Sequence, residues 1–329
     1  MILVTGGAGF IGSNLVAALV ASGAEVAVCD RLRDAGPDQP QKWRNLARHA
    51  PSLLFPPEEL DAFLASHPPL DAVVHMGAVS ATTATDGDLV WSTNVALSQR
   101  LWAWCAARGV PLIYASSAAT YGDGSAGFRD GLGALAALRP LNLYGWSKHA
   151  FDTWVARRLA EGTRLPPQWV GLKFFNVYGP NEYHKGGMIS VVAVKYRELA
   201  AGRAPTLFRS DRADVADGEQ QRDFIWVGDT VAVMRWLLGH PEVSGLFNVG
   251  TGTARSYADL ARAVCRAAGA EPRFELVEMP AKLVGRYQSF TQADMRALRD
   301  AGYTAPFTPL EEGIGRYVRD FLAQPDPYL

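Results

Sequence analysis

Tyr144 and Lys148, four positions apart in Y-G-W-S-K, are the residues of this sequence best suited to chemistry. If this stretch begins a helix, the spacing places both side chains on one face. A tyrosine is a poor base at neutral pH, but a neighbouring ammonium group and a positively charged nicotinamide ring stabilise its phenolate and lower its pKa. The pair could then exchange a proton with a substrate alcohol while a hydride moves between that alcohol and the ring.

Two serines, Ser116 and Ser117, strengthen this interpretation. They end the apolar run P-L-I-Y-A-S-S, which indicates a buried strand. An open parallel sheet binds its ligand at the carboxyl ends of its strands, so Ser117 would hydrogen-bond the reacting oxygen. A tyrosine and a lysine at this spacing also occur by chance on ordinary helix faces, but the serines favour a catalytic site.

The stretch T-G-G-A-G-F-I-G, at positions 5–12, has the pattern of a dinucleotide-binding loop. It contains G-x-G-x-x-G at Gly7, Gly9 and Gly12, and G-x-x-G-x-x-G at Gly6, Gly9 and Gly12. Glycines permit a tight turn and let backbone amides approach a pyrophosphate, and the following helix N-terminus adds partial positive charge. A purely structural glycine turn is the alternative.

Asp30 follows the second apolar run and occupies the position from which a carboxylate normally binds an adenosine ribose. Arg31, Arg33 and Lys42 come soon after it, and cations near that ribose suit a 2′-phosphate. The carboxylate suits the free ribose of NAD, whereas the cations suit the phosphorylated ribose of NADP, so the two observations conflict. The sequence favours NADP as the cofactor, with NAD possible and with solvated surface cations as the alternative.

The elements that must position these residues alternate between strands and helices. Short apolar runs predict parallel strands at 2–5, 25–30, 72–75, 111–117 and 169–176, and amphipathic stretches predict helices at 10–22, 91–108 and 145–161. This alternation indicates the α/β class, with a doubly wound Rossmann-type parallel sheet covered on both faces and right-handed crossovers.

The pattern changes after about residue 177. Helices are predicted at 188–201, 229–239 (after the cap signal V-G-D) and 256–268, strands at 224–227, 246–250 and 273–278, and a helical tail at 292–322. The polar stretch 209–223 is expected to be an exposed loop, acting as a lid. We expect 224–250 to return to the main sheet. The predicted cofactor domain is therefore 1–176 and 224–250, and a smaller, interleaved α+β substrate domain is 177–223 and 251–329.

Composition excludes several classes of function. The chain has 329 residues, 48% of them apolar, and a net charge of -1, which favours neither nucleic acid nor a membrane surface as a partner. Its three cysteines are far apart and match no metal spacing, so we expect no metal site and a reducing compartment. With no targeting segment or spanning run expected, the sequence indicates a cytoplasmic protein.

Several motifs make the sequence resemble extended short-chain dehydrogenase/reductases that act on nucleotide sugars. They are T-G-G-A-G-F-I-G (5–12), H-M-G-A (75–78), S-S-A-A-T-Y-G (116–122), Y-G-W-S-K (144–148), F-F-N-V-Y-G-P (174–180) and R-D-F-I-W-V-G-D (222–229). Others narrow the resemblance to the ADP-L-glycero-D-manno-heptose 6-epimerase family: H-K-G-G-M-I-S (184–190), F-N-V-G-T-G (247–252) and G-R-Y-Q-S-F-T-Q-A-D (285–294). Members of that family hold NADP, invert C6 of the heptose in an ADP-sugar for lipopolysaccharide synthesis, and form homopentamers.

The resemblance implies a set of binding residues in this chain. Those expected at the cofactor are Gly6, Gly9, Phe10, Ile11, Gly12, Asp30, Arg31, Lys42, Met76, Gly77, Ala78, Val79, Ser80, Asn94, Lys148, Val177 and Lys185. Those expected at the ADP-sugar are Ser117, Asn176, Gly187, Val194, Phe208, Arg209, Ser210, Asp211, Arg222 and Tyr287. An arginine such as Arg222 suits a diphosphate because its planar fork matches phosphate oxygens.

The resemblance also implies that Lys185 is a second acid/base beside Tyr144. An epimerase must remove a hydride from one face of a carbon and return it to the other, so the substrate oxygen takes two positions and one tyrosine cannot serve both. Partial burial by the ADP-sugar would lower the pKa of Lys185 toward a useful range. A surface lysine that merely touches a phosphate is the alternative.

The chain departs from the family where it has Gly187 in place of a serine and Val194 in place of a histidine, and its loop before Arg222 is longer. Two other enzymes of the same superfamily are alternative functions. A UDP-hexose 4-epimerase has no use for Lys185. A 4,6-dehydratase needs a carboxylate pair beside the serine, where this chain has S-S-A-A-T. From another class, a redox-sensing dinucleotide binder without catalysis is a further rival, although such proteins commonly lose the tyrosine and lysine pair that this chain keeps.

Overall fold

A parallel sheet of seven strands forms the centre of the computed structural model, which describes residues 1–32, 41–280 and 289–329. The described strands are β1 Ile2–Thr5, β2 Val26–Cys29, β3 Leu53–Phe55, β4 Ala72–His75, β5 Leu112–Ser117, β6 Trp169–Phe174, β7 Asn176–Tyr178, β8 Thr206–Phe208, β9 Gln221–Trp226, β10 Gly245–Val249, β11 Ala254–Ser256 and β12 Glu275–Val277. The order across the main sheet is β10-β6-β5-β4-β1-β2-β3. The strand order reverses between β1 and β4, which places a crevice at their carboxyl ends.

Helices follow most strands of the main sheet. They are α1 Phe10–Ala21, α2 Leu60–Ala65, α3 Gly87–Val90, α4 Leu97–Arg108, α5 Leu143–Ala160, α6 Val191–Ala200, α7 Val227–Leu238, α8 Tyr257–Ala267, α9 Arg296–Asp300 and α10 Leu310–Tyr317. A π-helical turn, Trp91–Ala96, joins α3 to α4, and another, Val318–Leu322, extends α10. Short 3₁₀ turns lie at Lys42–Leu46, Pro57–Glu59, Ala118–Tyr121, Leu132–Ala137 and Tyr183–Met188.

The main sheet is buried on both faces, because neighbouring residues of one strand pack into different cores. In β1, Val4 belongs to a cluster with Leu15 of α1 and Leu237 of α7, whereas Leu3 belongs to a cluster with Leu101 of α4 and Phe151 of α5. Helices therefore cover both faces, as near-continuous apolar strands require. The predicted doubly wound α/β class is confirmed.

A second, three-stranded sheet corrects the prediction that 224–250 returns to the main sheet as a whole. The strand β10 does lie in the main sheet, beside β6, but β9 pairs parallel with β7 and antiparallel with β11. Phe224, Ile225 and Trp226 are all buried in that smaller sheet. An apolar run shows that a strand is buried without showing which sheet it joins, so the sequence could not separate the two.

Other boundaries also differ from the predictions. The run 169–176 contains β6 and only the first residue of β7, which extends to Tyr178. The end of the polar stretch 209–223 is the start of β9. The helix α7 begins at Val227, and Asp229 of the expected cap signal lies inside it. The Asp229 carboxylate instead accepts bonds from the Thr308 amide at 2.8 Å and the Thr308 hydroxyl at 2.9 Å. The short strands β3, β8 and β11 were missed, and the division into two domains stays a prediction.

A buried ion pair ties α5 to the main sheet. The Lys173 ammonium of β6 lies 2.8 Å from the Asp152 carboxylate of α5, and both side chains are at most 1% exposed. Ser116 donates to the same carboxylate at 2.7 Å, and Lys173 also donates to Thr120 at 2.7 Å. These bonds fix α5, the helix that carries Tyr144 and Lys148, against β5 and β6.

Removing one partner of this pair is expected to destabilise the fold strongly. Asp152→Ala leaves a buried ammonium unpaired and Lys173→Met a buried carboxylate, so each lowers the free energy of unfolding by about 3–5 kcal/mol. The double variant should cost clearly less than the sum, measured by urea unfolding. The exposed pair Arg158 and Glu161 gives the control cycle, with a coupling of at most about 1 kcal/mol. Additive costs at Asp152 and Lys173 would contradict this view of the pair.

Candidate active site

The loop between β1 and α1 is shaped by glycines that leave no room for side chains. Gly6 has φ +68°, and a Cβ there would come within 2.5 Å of the Gly77 amide. A Cβ at Gly7 would lie 2.8 Å from the Val28 methyl groups, and one at Gly12 would collide with the Gly6 carbonyl. No side chain caps α1, and its first turn has no acidic residue. The loop therefore fits the pyrophosphate of a dinucleotide at a helix N-terminus.

Asp30 and Lys42, both predicted at the adenosine end of the cofactor, form an ion pair beside this loop. The Asp30 carboxylate accepts a bond from the Ala8 amide at 2.9 Å and pairs with the Lys42 ammonium at 2.6 Å. Arg31 pairs with Glu58 at 2.6 Å, and both side chains are more than half exposed. The carboxylate and the cations that the sequence predicts at the adenosine ribose thus lie side by side, and their contact with a cofactor stays a prediction. Arg33 lies outside the described residues.

The segment 76–80 continues from β4 across the crevice. Its first four residues are partly exposed and Ser80 is exposed. Asn94 is fully buried, and its amide accepts a bond from the Val79 amide at 2.8 Å and donates to the Val79 carbonyl at 3.0 Å and to Ser147 at 2.9 Å. Asn94 therefore supports this segment through its bonds to Val79, and its predicted place at the cofactor stays a prediction.

The predicted catalytic residues Tyr144, Lys148 and Ser117 come together at the carboxyl end of β5. Asn142 caps α5 by accepting a bond from the Gly145 amide at 2.8 Å, which fixes the first turn that carries Tyr144. The Ser117 hydroxyl hydrogen-bonds Tyr144. Lys148 is 3% exposed, and its ammonium donates to the Ala115 carbonyl at 2.8 Å.

Burial shifts both ionisable groups of this constellation. It lowers the pKa of Lys148 to about 8, while the charge of Asp152 acts in the opposite direction. It raises the pKa of Tyr144, while the hydrogen bond with Ser117 acts in the opposite direction. The sequence predicts that the Lys148 ammonium and a bound nicotinamide ring together lower the tyrosine pKa, and this stays a prediction for the protein with its cofactor. The protein groups by themselves raise that pKa. The physical reason is that burial outweighs the other effects, since the Lys148 ammonium bonds a carbonyl and the negative charge of Asp152 adds to the rise.

Lys185 lies on the turn Tyr183–Met188, beside the phosphate loop. Its ammonium lies 5.2 Å from the centre of the Phe10 ring. Burial within the protein already lowers the pKa of Lys185, and the charge of Glu182 opposes the shift. The additional burial by an ADP-sugar stays a prediction. Within the described residues no hydrogen bond or ring contact joins Lys185 to Tyr144 or Ser117, so their action from opposite sides stays a prediction.

Glu182 is a supporting residue that sequence reasoning missed. It is fully buried, and its carboxylate accepts bonds from the Ser190 amide and hydroxyl, both at 2.6 Å, and from the Tyr317 hydroxyl at 2.9 Å. Burial raises its pKa, and the Ser190 bonds and the charge of Lys185 oppose that rise. A carboxylate three positions before a candidate catalytic lysine was the available signal.

The residues predicted at the ADP-sugar lie on several elements around this region. Asn176 is on β7, where it precedes Val177, a residue predicted at the cofactor, and Val194 is on α6. Arg222 is a 6% exposed residue of β9 whose guanidinium lies 5.7 Å from the centre of the Tyr257 ring. The others occupy β8 and the following loop: Phe208, Arg209, Ser210 and Asp211. Tyr287 lies outside the described residues.

Two of these predicted residues have informative local geometry. Gly187 is exposed, and nothing lies within 4 Å of the place where its Cβ would stand, so a serine there would meet no clash. Arg209 pairs with Asp217 at 3.2 Å and with Glu278 at 3.1 Å, so its guanidinium is engaged with carboxylates of the protein. Contact between Arg209 and a substrate stays a prediction.

The part of the chain described by the structure shows no sign of a metal centre or a membrane span. No group of three or more potential ligand side chains is placed to hold an ion there. None of the helices in the same residues is long and apolar enough to cross a bilayer. Cys29, Cys105 and Cys265 are free and buried.

Comparison with known proteins identifies the family. Residues 2–250 match the NAD dependent epimerase/dehydratase family. The chain is 50% identical to ADP-L-glycero-D-manno-heptose-6-epimerase of Nitratidesulfovibrio vulgaris and 43% identical to that of Fusobacterium nucleatum, and each match covers 100% of both chains.

Solved structures agree with these relatives. The Helicobacter pylori ADP-L-glycero-D-manno-heptose-6-epimerase superposes with a TM-score of 0.79 at 30% identity, over 97% of this chain and 95% of that one. A Thermus thermophilus UDP-glucose 4-epimerase complex with NAD superposes with a TM-score of 0.73 at 29% identity, over 95% of this chain and 96% of that one. The glycine-lined loop here fits the same class of cofactor, a nicotinamide dinucleotide. The chain thus belongs to the NAD dependent epimerase/dehydratase family and, within it, to the ADP-L-glycero-D-manno-heptose-6-epimerases.

Proposed function

We propose that this protein is an isomerase that inverts C6 of the heptose in ADP-D-glycero-D-manno-heptose to give ADP-L-glycero-D-manno-heptose. The reaction runs through a 6-keto sugar, with hydride return to the opposite face. The observation that carries the proposal beyond a simple dehydrogenase is Lys185, a partly buried lysine of lowered pKa whose ammonium lies 5.2 Å from the Phe10 ring of the phosphate loop. The product serves lipopolysaccharide core synthesis, in line with the names of the relatives.

The chain's own residues handle the proton in this mechanism. When bound, the nicotinamide ring supplies the means of accepting and returning the hydride. Tyr144 exchanges the proton of the C6 hydroxyl in one position of the sugar, with Ser117 bonding that oxygen and the charge of Lys148 favouring the phenolate. After the keto sugar turns its other face to the ring, its oxygen lies away from Tyr144, and Lys185 takes the corresponding role. Phe10, Ile11 and Gly12 bind the pyrophosphate through the start of α1.

NADP is the proposed cofactor, in preference to NAD. Lys42 and Arg31 are the cations beside the adenosine site, and Lys42 is held there by its 2.6 Å contact with Asp30. A 2′-phosphate would add negative charge next to Asp30, and these two cations are suited to balance it. The partner carboxylates Asp30 and Glu58 would then share their cations with the phosphate.

The protein is further proposed to act in the cytoplasm as a homo-oligomer, with a pentamer implied by the family resemblance. An exposed aromatic pair is compatible with a subunit contact: Trp91 and Trp146 are 44% and 43% exposed, and their ring centres lie 5.8 Å apart. The ADP-sugar is the small-molecule partner, and neither nucleic acid nor a membrane is involved in this proposal.

Purified protein is expected to release NADP on denaturation, and addition of ADP-heptose should reduce the bound cofactor transiently. The reason is that the keto sugar exists only between the two hydride transfers. The absorbance of the reduced ring in stopped flow and chromatography of the released cofactor provide the measurements. UDP-glucose is the matched control substrate. Reduction by UDP-glucose alone would make the protein a 4-epimerase, and no reduction by either sugar would make it a dinucleotide binder.

Lys185→Met and Tyr144→Phe are expected to keep the bound cofactor and to slow epimerisation by about 10²–10⁴-fold, since each removes one general acid/base. Each variant should still oxidise one pure epimer and fail with the other, and the two variants should show opposite preferences. Reduction of the bound cofactor by each epimer separately gives the measurement. If both variants oxidise the two epimers equally slowly, the mechanism in which Tyr144 serves one epimer and Lys185 the other is wrong.

The rate is expected to fall on the alkaline side of about pH 8, the pKa to which burial lowers Lys148. As pH rises through that value Lys148 loses the charge that favours the Tyr144 phenolate. Lys148→Arg retains its charge at every working pH, so its alkaline limb should move to higher pH even though its maximal rate is lower. Profiles of kcat against pH for both proteins make the comparison. If kcat of Lys148→Arg falls at the same pH as kcat of the parent, the alkaline fall belongs to a group other than Lys148.

A further inference from the structure

The segment 326–329 packs between two turns that carry proposed site residues. One is the turn Lys42–Leu46, which contains the proposed cofactor ligand Lys42, and the other is Tyr183–Met188, which contains Lys185. Tyr328 is 5% exposed although it lies in an irregular segment. A buried aromatic ring at such a position needs packing partners, and both turns supply them.

On the side of the first turn, Asp326 and Tyr328 both engage Arg44. The Asp326 carboxylate accepts from the Arg44 guanidinium at 2.9 Å and from Arg48 at 3.0 Å. The same Arg44 guanidinium lies 4.3 Å from the centre of the Tyr328 ring, a cation–π contact. The Asp326 carboxylate and the Tyr328 ring thus both hold the guanidinium of Arg44. Arg44 follows Lys42 by two positions in the chain.

On the side of the second turn, Tyr183 and Asn181 are the anchors. The rings of Tyr328 and Tyr183 meet edge to face with centres 5.1 Å apart, and the Tyr183 hydroxyl donates to the Pro327 carbonyl at 2.7 Å. The Leu329 amide donates to the Asn181 side chain at 3.0 Å. Tyr183 begins the turn, and Lys185 follows it by two positions.

The two turns also touch each other directly, which makes them one unit. The Asn45 amide donates to the Asn181 carbonyl at 3.0 Å and lies 3.2 Å from the His184 ring nitrogen. Asn181 has φ +70°, a left-handed conformation that costs energy in a residue other than glycine and persists only where its surroundings hold it. The charges of Lys42 and Lys185 both contribute, after burial, to lowering the pKa of His184 to about 4, as expected of a ring near both lysines.

We propose that the segment 326–329 is a positioning element for the epimerase reaction, and that Tyr328 and Asp326 set the place of Lys185 by clamping its turn to the cofactor-side turn. This inference rests on the proposed role of Lys185. Tyr328 contributes most, because its ring is buried between the turns, whereas the ion pairs of Asp326 are about half exposed and screened by water. Tyr328 is not among the proposed substrate-binding or catalytic residues, so in this proposal it acts through Lys185.

A purely structural role for the segment would give a different result from a positioning role. If Tyr328 only stabilises the fold, its loss lowers the melting temperature and leaves both epimers oxidised at parent rates. If it positions Lys185, its loss selectively slows the epimer whose hydroxyl faces Lys185, because a displacement of about 1 Å can cost about 100-fold in rate. The epimer served by Tyr144, on α5, keeps its rate.

The experiment uses the full chain with its bound cofactor and measures cofactor reduction by each pure epimer. Lys185→Met first defines the epimer that depends on Lys185. Tyr328→Ala is then expected to slow that epimer by about 10–100-fold and the other by less than about twofold. For the epimer that depends on Lys185, the pH at which the oxidation rate of Tyr328→Ala rises should be higher than in the parent. The reason is that a looser turn admits water and weakens the burial that lowers the pKa of Lys185. Tyr328→Phe, which keeps the ring, should restore the parent ratio.

Two further variants test the same positioning role in case Tyr328→Ala does not fold. Arg44→Met removes the bridge between Asp326 and the Tyr328 ring at a side chain that is 40% exposed, and it should shift the ratio in the same direction. Glu312→Gln breaks an exposed pair with Arg316 on α10 and is the matched control without effect. Equal rates for both epimers in Tyr328→Ala or Arg44→Met, with Lys185→Met still selective, would overturn the positioning role. A non-selective Lys185→Met would instead overturn the proposed function on which the inference rests.

Discussion

The close approach of two loop backbones, at Gly6 and Gly77, is the constraint on which the rest of the site depends. The parallel strands β1 and β4 are neighbours, and the chain leaves them in opposite directions, so their carboxyl ends open one crevice. Only a residue without a Cβ can take φ +68° at Gly6 with Gly77 at this distance. That contact fixes where α1 begins. The Phe10 ring at that helix start then packs in one cluster with Tyr183 and Trp226, which ties the phosphate loop to the second sheet.

Buried carboxylates hold together the loops and small strands of the predicted substrate domain. Glu182 accepts bonds from Ser190 and Tyr317, and Asp223 accepts bonds from the Thr251 amide and hydroxyl at 2.7 Å and from the Ala293 amide at 3.0 Å. Burial raises the pKa of both carboxyl groups, and the hydrogen bonds act against that rise. Short loops and small sheets offer little apolar surface, so several directed bonds to one carboxylate fix them more specifically than packing alone. Glu182 in this way helps to fix the turn that carries Lys185.

Sequence reasoning reached the main sheet and the cofactor loop because both depend on local patterns. Apolar runs such as 2–5 and 72–75, and glycines at fixed offsets, give the same answer in any fold of this class. It failed where long-range pairing decides, as for β9, which pairs with β7 in a second sheet. It also failed for Asp229, because a good capping residue by type is used here to bind Thr308 far along the chain.

The site shows the same division between local pattern and burial. Spacing and strand ends placed Tyr144, Lys148 and Ser117 together, since i and i+4 share a helix face. The direction of the Tyr144 pKa could not be predicted, because it depends on how much water the fold removes and on where the Lys148 ammonium points. Glu182 and Tyr328 were not recognised, because their roles come from partners that are distant in sequence.

The opposite directions of the pKa shifts suit a pair of proton partners that work in turn. Burial raises the pKa of Tyr144 and lowers that of Lys185, so in both cases it favours the neutral form. In the proposed mechanism a neutral lysine takes a proton from one epimer and a neutral tyrosine then gives one to the keto sugar, which leaves an ammonium and a phenolate. That state has the same net charge and is the one needed to start from the other epimer. A complete turnover, made of both hydride transfers, therefore converts one starting state into the other without a change in net charge. A partly dehydrated site tolerates these two states more readily than a state with an unbalanced charge.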